Sequence, residues 1–294
     1  MSQAKLRVER ARARWGVVDV AIGTFKRFSQ DDGGTYAAAL TYFTFFSIFP
    51  LVVFAVAALG YLTFLRPQLQ QEILRAGLDA VPMLGGILSE QTLGTLAERR
   101  QELALTGVAL ALYSGSGAVV ALEHALNKLW HVTEEPKFVP KRLRSVGWLG
   151  ILGGAAVLSM GLSAVARSLG SLFQALPLLG AALAVALLHA VGVLVGTLAF
   201  AAAFRVLPAT ELAWRDVLPG ALVAAAALEL LKSVGAAYLE AGAASRNATF
   251  GTFAAAAGLL VASYLICQIT LLSAEVNVVL AERRLTRQSE RTQS

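Results

Sequence analysis

Apolar and polar residues fall in long blocks along this chain rather than alternating. From Tyr36 to Phe64 no side chain is charged, and Asp31, Asp32, Gly33 and Gly34 close the block on its upstream side. At about 1.5 Å of rise per residue, a helix of that length crosses a hydrocarbon layer of roughly 30 Å with residues to spare. Further charge-free blocks run over Leu103–Leu122, Ser145–Ala166, Ser168–Phe204, Val217–Leu228 and Asn247–Ala274. Membrane strands are about ten residues long and alternate in polarity; these blocks are continuous and rich in Ala and Leu, so helices are predicted. Gly170 and Pro177 place a turn inside the longest block, leaving one long helix from about Leu178. The pattern therefore predicts an all-α integral membrane protein. One six-helix transmembrane bundle occupies residues 31–282, with spans at about 36–64, 103–122, 145–166, 178–204, 217–239 and 252–280.

Composition fits that reading: 56% of the 294 residues are hydrophobic and 15% are charged. The first 30 residues lack the continuous apolar core of a cleaved signal peptide. Lone Cys267 excludes an internal disulfide. Charge then orients the bundle. An even number of spans puts both termini on one side, and that side collects eighteen of the 25 Lys and Arg residues, so the positive-inside rule places both termini in the cytoplasm. Much of the net charge of +6 is this bias, which suits anionic cytoplasmic lipid; the basic residues are scattered among loops, which does not suit nucleic acid. Residues 1–30 mix Lys5, Arg7, Arg10, Arg12 and Arg14 with Leu6, Val8, Trp15, Val18, Ile22 and Phe25, a pattern for an amphipathic helix lying in the inner interface. Arg66–Glu102 is the long external connection between the first two spans, and its apolar spacing fits short helices broken at Pro82 and Gly85-Gly86. Residues 283–294 form a polar cytoplasmic tail.

Ionisable groups inside hydrocarbon cost several kcal/mol unless paired or watered, so each marks a candidate site. Glu229 sits 12 residues beyond Val217, about 18 Å along the axis, with Lys232 one turn farther on the same face. His189 lies 11 residues from Leu178, about 16 Å from the opposite end, at a depth it can share with Glu229. These three are predicted to meet near the middle of the membrane. Two roles are open to them: a bundle-holding ion pair with a snorkelling Lys232, or the lining of a wet cavity that binds a headgroup or carries a proton. Thr41, Thr44 and Ser47 make a hydroxyl stripe that leads to Pro50, where a kink frees a backbone carbonyl. Hydrogen bonds from the stripe to a neighbouring helix are its plainest use. The run Ser114-Gly115-Ser116-Gly117 lowers helix propensity deep in the second span and predicts a local unwinding beside a cavity. Glu275 and Asn277 lie near the inner end of the last span, where Arg215 and Asp216 are candidate partners; Glu123 and His124 hold a similar position in the second. Gly150/Gly154 and Gly192/Gly196 allow close helix approach.

Three segments go further. AALTYFTFFSIFPLVV at Ala38–Val53, WRDVLPGAL at Trp214–Leu222 and the run Phe250–Leu280, which opens on Phe250-Gly251 and ends in an A-E-x-N pattern around Glu275 and Asn277, stand in an order that resembles the YihY/virulence factor BrkB family. The resemblance covers about residues 15–285. It implies a bacterial inner-membrane protein whose relatives have been labelled ribonuclease BN or virulence factors, some of them linked to movement of lipid, and it gives weight to Glu275 and Asn277. The ribonuclease label does not fit the residues. Metal-dependent RNA hydrolysis wants clustered His and Asp ligands, and His124, His131 and His189 fall on different elements with no H-x-H-x-D-H run. No catalytic residue, metal or cofactor is expected. The expectation is a transporter or amphiphile-handling protein with membrane lipids as partners. The alternative is a scaffold that organises envelope proteins, or copies of itself, through the external connection and the basic tails.

Overall fold

The computed structural model describes residues 16–48, 100–133 and 179–293. The expected span at 145–166, the external connection up to residue 99, Pro50 and the basic residues before 16 lie outside that set. Everything regular within it is helical: α1 at Gly16–Gln30, α2 at 33–48, α3 at Arg100–Leu129, α4 at Leu179–Val206 and α5 at Trp214–Gln293. Three segments among the described residues are long and apolar enough to cross a membrane: His189–Val206, Trp214–Gly235 and Ala256–Thr286.

Two of these belong to α5, which cannot be straight. The Gly220 amide donates to Asn277 Oδ1 at 2.6 Å across 57 residues, a separation of about 85 Å on a straight helix. The run therefore folds back between its two arms, Trp214–Gly235 and Ala256–Thr286, which lie antiparallel. Their contact is close because Gly220 has no side chain: a Cβ there would overlap the Ser273 carbonyl oxygen and stand 2.6 Å from Asn277 Cγ. Pro219 sits one residue earlier, inside the helix. It has no N–H to give the Arg215 carbonyl, and that carbonyl takes Nη1 of Arg284 from the other arm instead, at 2.9 Å.

The turns at the same end are equally specific. Asp32 adopts φ 53°, a left-handed conformation that a short polar residue tolerates, at the two-residue turn between α1 and α2. Gly33 follows, where a Cβ would overlap the Phe28 ring. α3 ends in a Schellman motif: the Val132 amide reaches the Asn127 carbonyl at 2.9 Å and the His131 amide reaches Lys128 at 3.0 Å, with His131 at φ 52° in the position glycine usually holds. Between α4 and α5, Arg205 donates to the Leu212 carbonyl and stacks over Trp214, its Cζ 4.4 Å from the ring centroid.

A narrow apolar core joins these elements. Ala37 and Leu40 of α2 pack with Val119, Ala125 and Leu126 of α3, with Ala201 and Phe204 of α4, and with Val217, Ala221, Leu271 and Ala274 of α5. Small residues dominate because, with lipid outside, helices associate through close van der Waals contact rather than through expulsion of water. Gly192 and Gly196 of α4 serve this directly: a Cβ at Gly196 would meet Ala225 Cβ at 3.1 Å, and one at Gly192 would meet Glu229 Oε1 at 2.6 Å.

Two sequence expectations change here. The Ser114–Gly117 stretch does not unwind; α3 runs through it unbroken. Ser116 Oγ donates back to the Tyr113 carbonyl, and Gly117 leaves room for the Phe43 ring, which a Cβ would meet at 3.3 Å, so the small residues serve packing against α2. The hydroxyl stripe of α2 also turns inward. Thr41 Oγ1 donates to the Ala37 carbonyl and Ser47 Oγ to the Thr44 carbonyl, while across the helix interface Thr44 lies 3.9 Å from Cys267 Sγ and Thr41 also approaches that thiol. Backbone carbonyls one turn away lie within reach of a Ser or Thr rotamer and win over more distant partners.

Candidate functional site

Polar side chains gather in two places. The first is halfway along α4 and the first arm of α5. His189 Nδ1 lies 3.4 Å from Glu229 Oε2, and Lys232 Nζ donates to Glu229 Oε1 at 2.7 Å. α4 and α5 pack there because Gly192 yields the space that the Glu229 carboxylate fills. The three residues singled out in the sequence as sharing one depth are thus in contact. Their surroundings are open: side-chain exposure is 48% for His189 and 57% for Lys232, against 15% for Glu229. The carboxylate is held between the helices while the two nitrogen-bearing groups remain accessible.

The second gathering is at the end where α1, α3 and α5 meet, and it is larger than the sequence suggested. Its hub is Arg27, on the face of α1 turned toward the last arm. Arg27 Nη1 pairs with Glu282, and Nη2 lies 2.9 Å from His131 Nε2. Its Nε lies 3.9 Å from both Asp31 Oδ2 and Glu275 Oε2. A guanidinium only donates, so His131 Nε2 is the acceptor. About two helical turns earlier on α1, Asp19 takes Arg283 of the same arm. α1, expected to lie in the interface, is therefore also fastened to the bundle, and it leaves Val18 and Phe25 outward.

Glu123, Asn127, Glu275 and Asn277 are fully buried here. Asn277 holds the Gly220 amide and Asn127 Oδ1 holds the Ala209 amide at 2.7 Å, so each asparagine satisfies a backbone donor from the α4–α5 region. Arg215 and Asp216, the partners expected for Glu275 and Asn277, are engaged otherwise: Asp216 takes Arg284 Nη1 at 2.9 Å, and the Glu275 carboxylate faces Arg27. His124 packs its ring 5.8 Å from that of Tyr36. Pattern reasoning does not single out Arg27 with His131 or Glu282, since contacts between residues more than a hundred positions apart leave no spacing to read, and the Arg27–Asp31 pair at i, i+4 looks like an ordinary helix-surface pair.

Beside this hub lies a cavity of about 570 Å³ lined by Trp130, Leu212, Arg215, Asp216, Arg284 and Leu285 among others. It combines two guanidinium groups, one carboxylate, an indole and apolar walls.

Comparison with known proteins agrees with this architecture. The virulence factor BrkB family model matches residues 24–294. A UPF0761 membrane protein of Chromohalobacter salexigens is 31% identical over 88% of this chain and 62% of its own length, so the chain spans less than two thirds of that relative. The putative ribonuclease-like protein YfkH of Bacillus subtilis is 26% identical over 88% of this chain and 94% of its own. The inner membrane protein YhjD of Escherichia coli is 30% identical over 53% of this chain and 48% of its own. No solved structure matches. A family match over nearly the whole chain, apolar helices long enough to cross a bilayer and relatives named as membrane proteins lead to one statement: the chain is a membrane protein of the virulence factor BrkB family.

Proposed function

We propose that this protein binds an amphiphile bearing an anionic or zwitterionic head and moves it within the membrane, with His189, Glu229 and Lys232 as an intermediate station for the head. The observation that carries the reading is the meeting of those three side chains within otherwise apolar helices, with the ammonium and imidazole left accessible. A pair serving only to hold helices together gains most when both partners are enclosed. The cavity at the end of the same arm supports the reading. Arg215 and Arg284 offer donors to a phosphate or carboxylate, Trp130 suits the headgroup level, and Leu212 and Leu285 suit the start of an acyl chain. From Arg215 to Glu229 is 14 residues, or about 21 Å along the helix. That spacing links an entry near the interface with a station at depth.

In this reading the end carrying Arg27, Arg205, Arg215, Arg283 and Arg284 faces the cytoplasm, and anionic lipid gathers around it. A ribonuclease role gains no support from the histidines, which occupy three separate places: His131 against Arg27, His124 against Tyr36 and His189 against Glu229. The test is transbilayer movement of a head-labelled phospholipid in proteoliposomes holding the full chain. Lys232→Ala and Glu229→Gln are expected to slow it at least tenfold while the protein remains folded; unchanged movement in both variants removes the station.

A further inference from the structure

The Arg27 hub is out of balance. Asp31, Glu275 and Glu282 approach the same guanidinium, and His131, bound as an acceptor, brings no compensating charge. The three carboxylates are not equivalent. Glu282 is half exposed and takes the direct ion pair, and Asp31 sits at the α1–α2 turn with part of its surface open. Glu275 is wholly enclosed, neither of its oxygens has a donor among the described residues, and the Asp31 carboxylate, itself only an acceptor when ionised, stands within hydrogen-bonding reach of it. Its nearest cation stands at 3.9 Å, beyond hydrogen-bond range, and is already shared. An ionised carboxylate without hydrogen bonds is the most expensive group a helix bundle can enclose; addition of one proton removes its charge and leaves a neutral acid that fits the same space.

We propose that Glu275 is a proton-binding site. A proton from the water at this end adds to one Glu275 oxygen, no other bond changes, and the net charge of the hub rises by one. Its occupancy decides how tightly α1 is held. With Glu275 protonated, Arg27 is left to Glu282, Asp31 and the lone pair of His131; with Glu275 ionised, the guanidinium is drawn inward and its hold on Glu282 weakens. The charged groups that act on Glu275 are Arg27 and Asp31 of α1 and its turn and Glu282 of its own helix, with Asp19 and Arg283 farther along the α1–α5 contact. The inference stands apart from the lipid reading, because it concerns a different place and is tested without a lipid substrate.

The experiment is infrared titration of the full chain in lipid nanodiscs, following the carbonyl stretch of a protonated carboxylic acid. Wild type is expected to show the band at neutral pH and to lose it reversibly in base. Glu275→Gln is expected to lack the band at every pH while melting as wild type does, since the amide copies the neutral acid. Glu282→Gln is expected to keep it. Absence of the band from wild type, or its persistence in Glu275→Gln, overturns the proposal, as does a band that responds to sodium concentration and not to pH. Should Glu275→Gln fail to fold, Arg27→Lys decides the matter: a titration midpoint moved by at least tenfold in proton concentration supports the site beside it, and an unmoved one overturns it.

Discussion

The two polar gatherings are built from the same residue types and held in opposite ways. Around Arg27, charges sit at the junction of three helices, and buried asparagines at that end close on backbone amides. Around Glu229, one carboxylate is wedged between two helices, and its partners, His189 and Lys232, face outward. In the first, Glu275 and the asparagines are enclosed and depend on their protein partners; in the second, His189 and Lys232 are half exposed on the helix surfaces, and with water in the proposed cavity the loss of one of them is small. The contrast separates residues that keep the bundle closed from residues that remain available to something else.

Gly220→Val would test the closed region most severely. The new side chain has to displace the Ser273 carbonyl and Asn277, and about 3 kcal/mol of overpacking is expected. The purified protein should lose its sharp elution in detergent and most of its thermal transition. Arg27→Ala comes next: enclosed Glu275 and half-exposed Glu282 lose the cation they share, with a loss of about 2 kcal/mol and an α1 that becomes protease-sensitive. Adding Glu282→Gln should restore part of that loss. Asn277→Ala leaves the Gly220 amide without its acceptor, a change of roughly 1–2 kcal/mol that a melting curve resolves. At the open cluster, Lys232→Ala should move stability by less than about 0.5 kcal/mol. If it destabilised as much as Arg27→Ala, the two regions would not differ in kind and the availability of the cluster would be lost as an argument.

The same contrast separates what is legible in the amino-acid sequence from what is not. His189, Glu229 and Lys232 stand out because helical rise converts sequence position into depth, and a charge in an apolar block is conspicuous at any distance. Arg27 is invisible to that reasoning. It is one of several basic residues in a basic segment, and what distinguishes it is a carboxylate 255 positions away. The Ser114–Gly117 stretch misleads for a related reason. Low helix propensity describes the isolated segment, whereas a neighbouring ring at Phe43 sets the actual requirement. The hydroxyls of α2 show the limit of pattern from the other side: the stripe marks a face correctly, but a rotamer choice decides that Thr41 and Ser47 bond to their own helix.

The Arg27–Glu282 pairing also sets a schedule for the chain. The contacts that lock the arms of α5 in register, Gly220 with Asn277 and Asp216 with Arg284, lie wholly within the last eighty residues described, so that hairpin carries its own instructions. Asp19 and Arg27 are among the first described residues made, yet Arg283 and Glu282 emerge among the last. Until the arm carrying them is made, α1 lacks both of these partners. The contact between α1 and the last arm of α5 closes only once that arm has arrived, so a chain cut short before Glu282 never receives it.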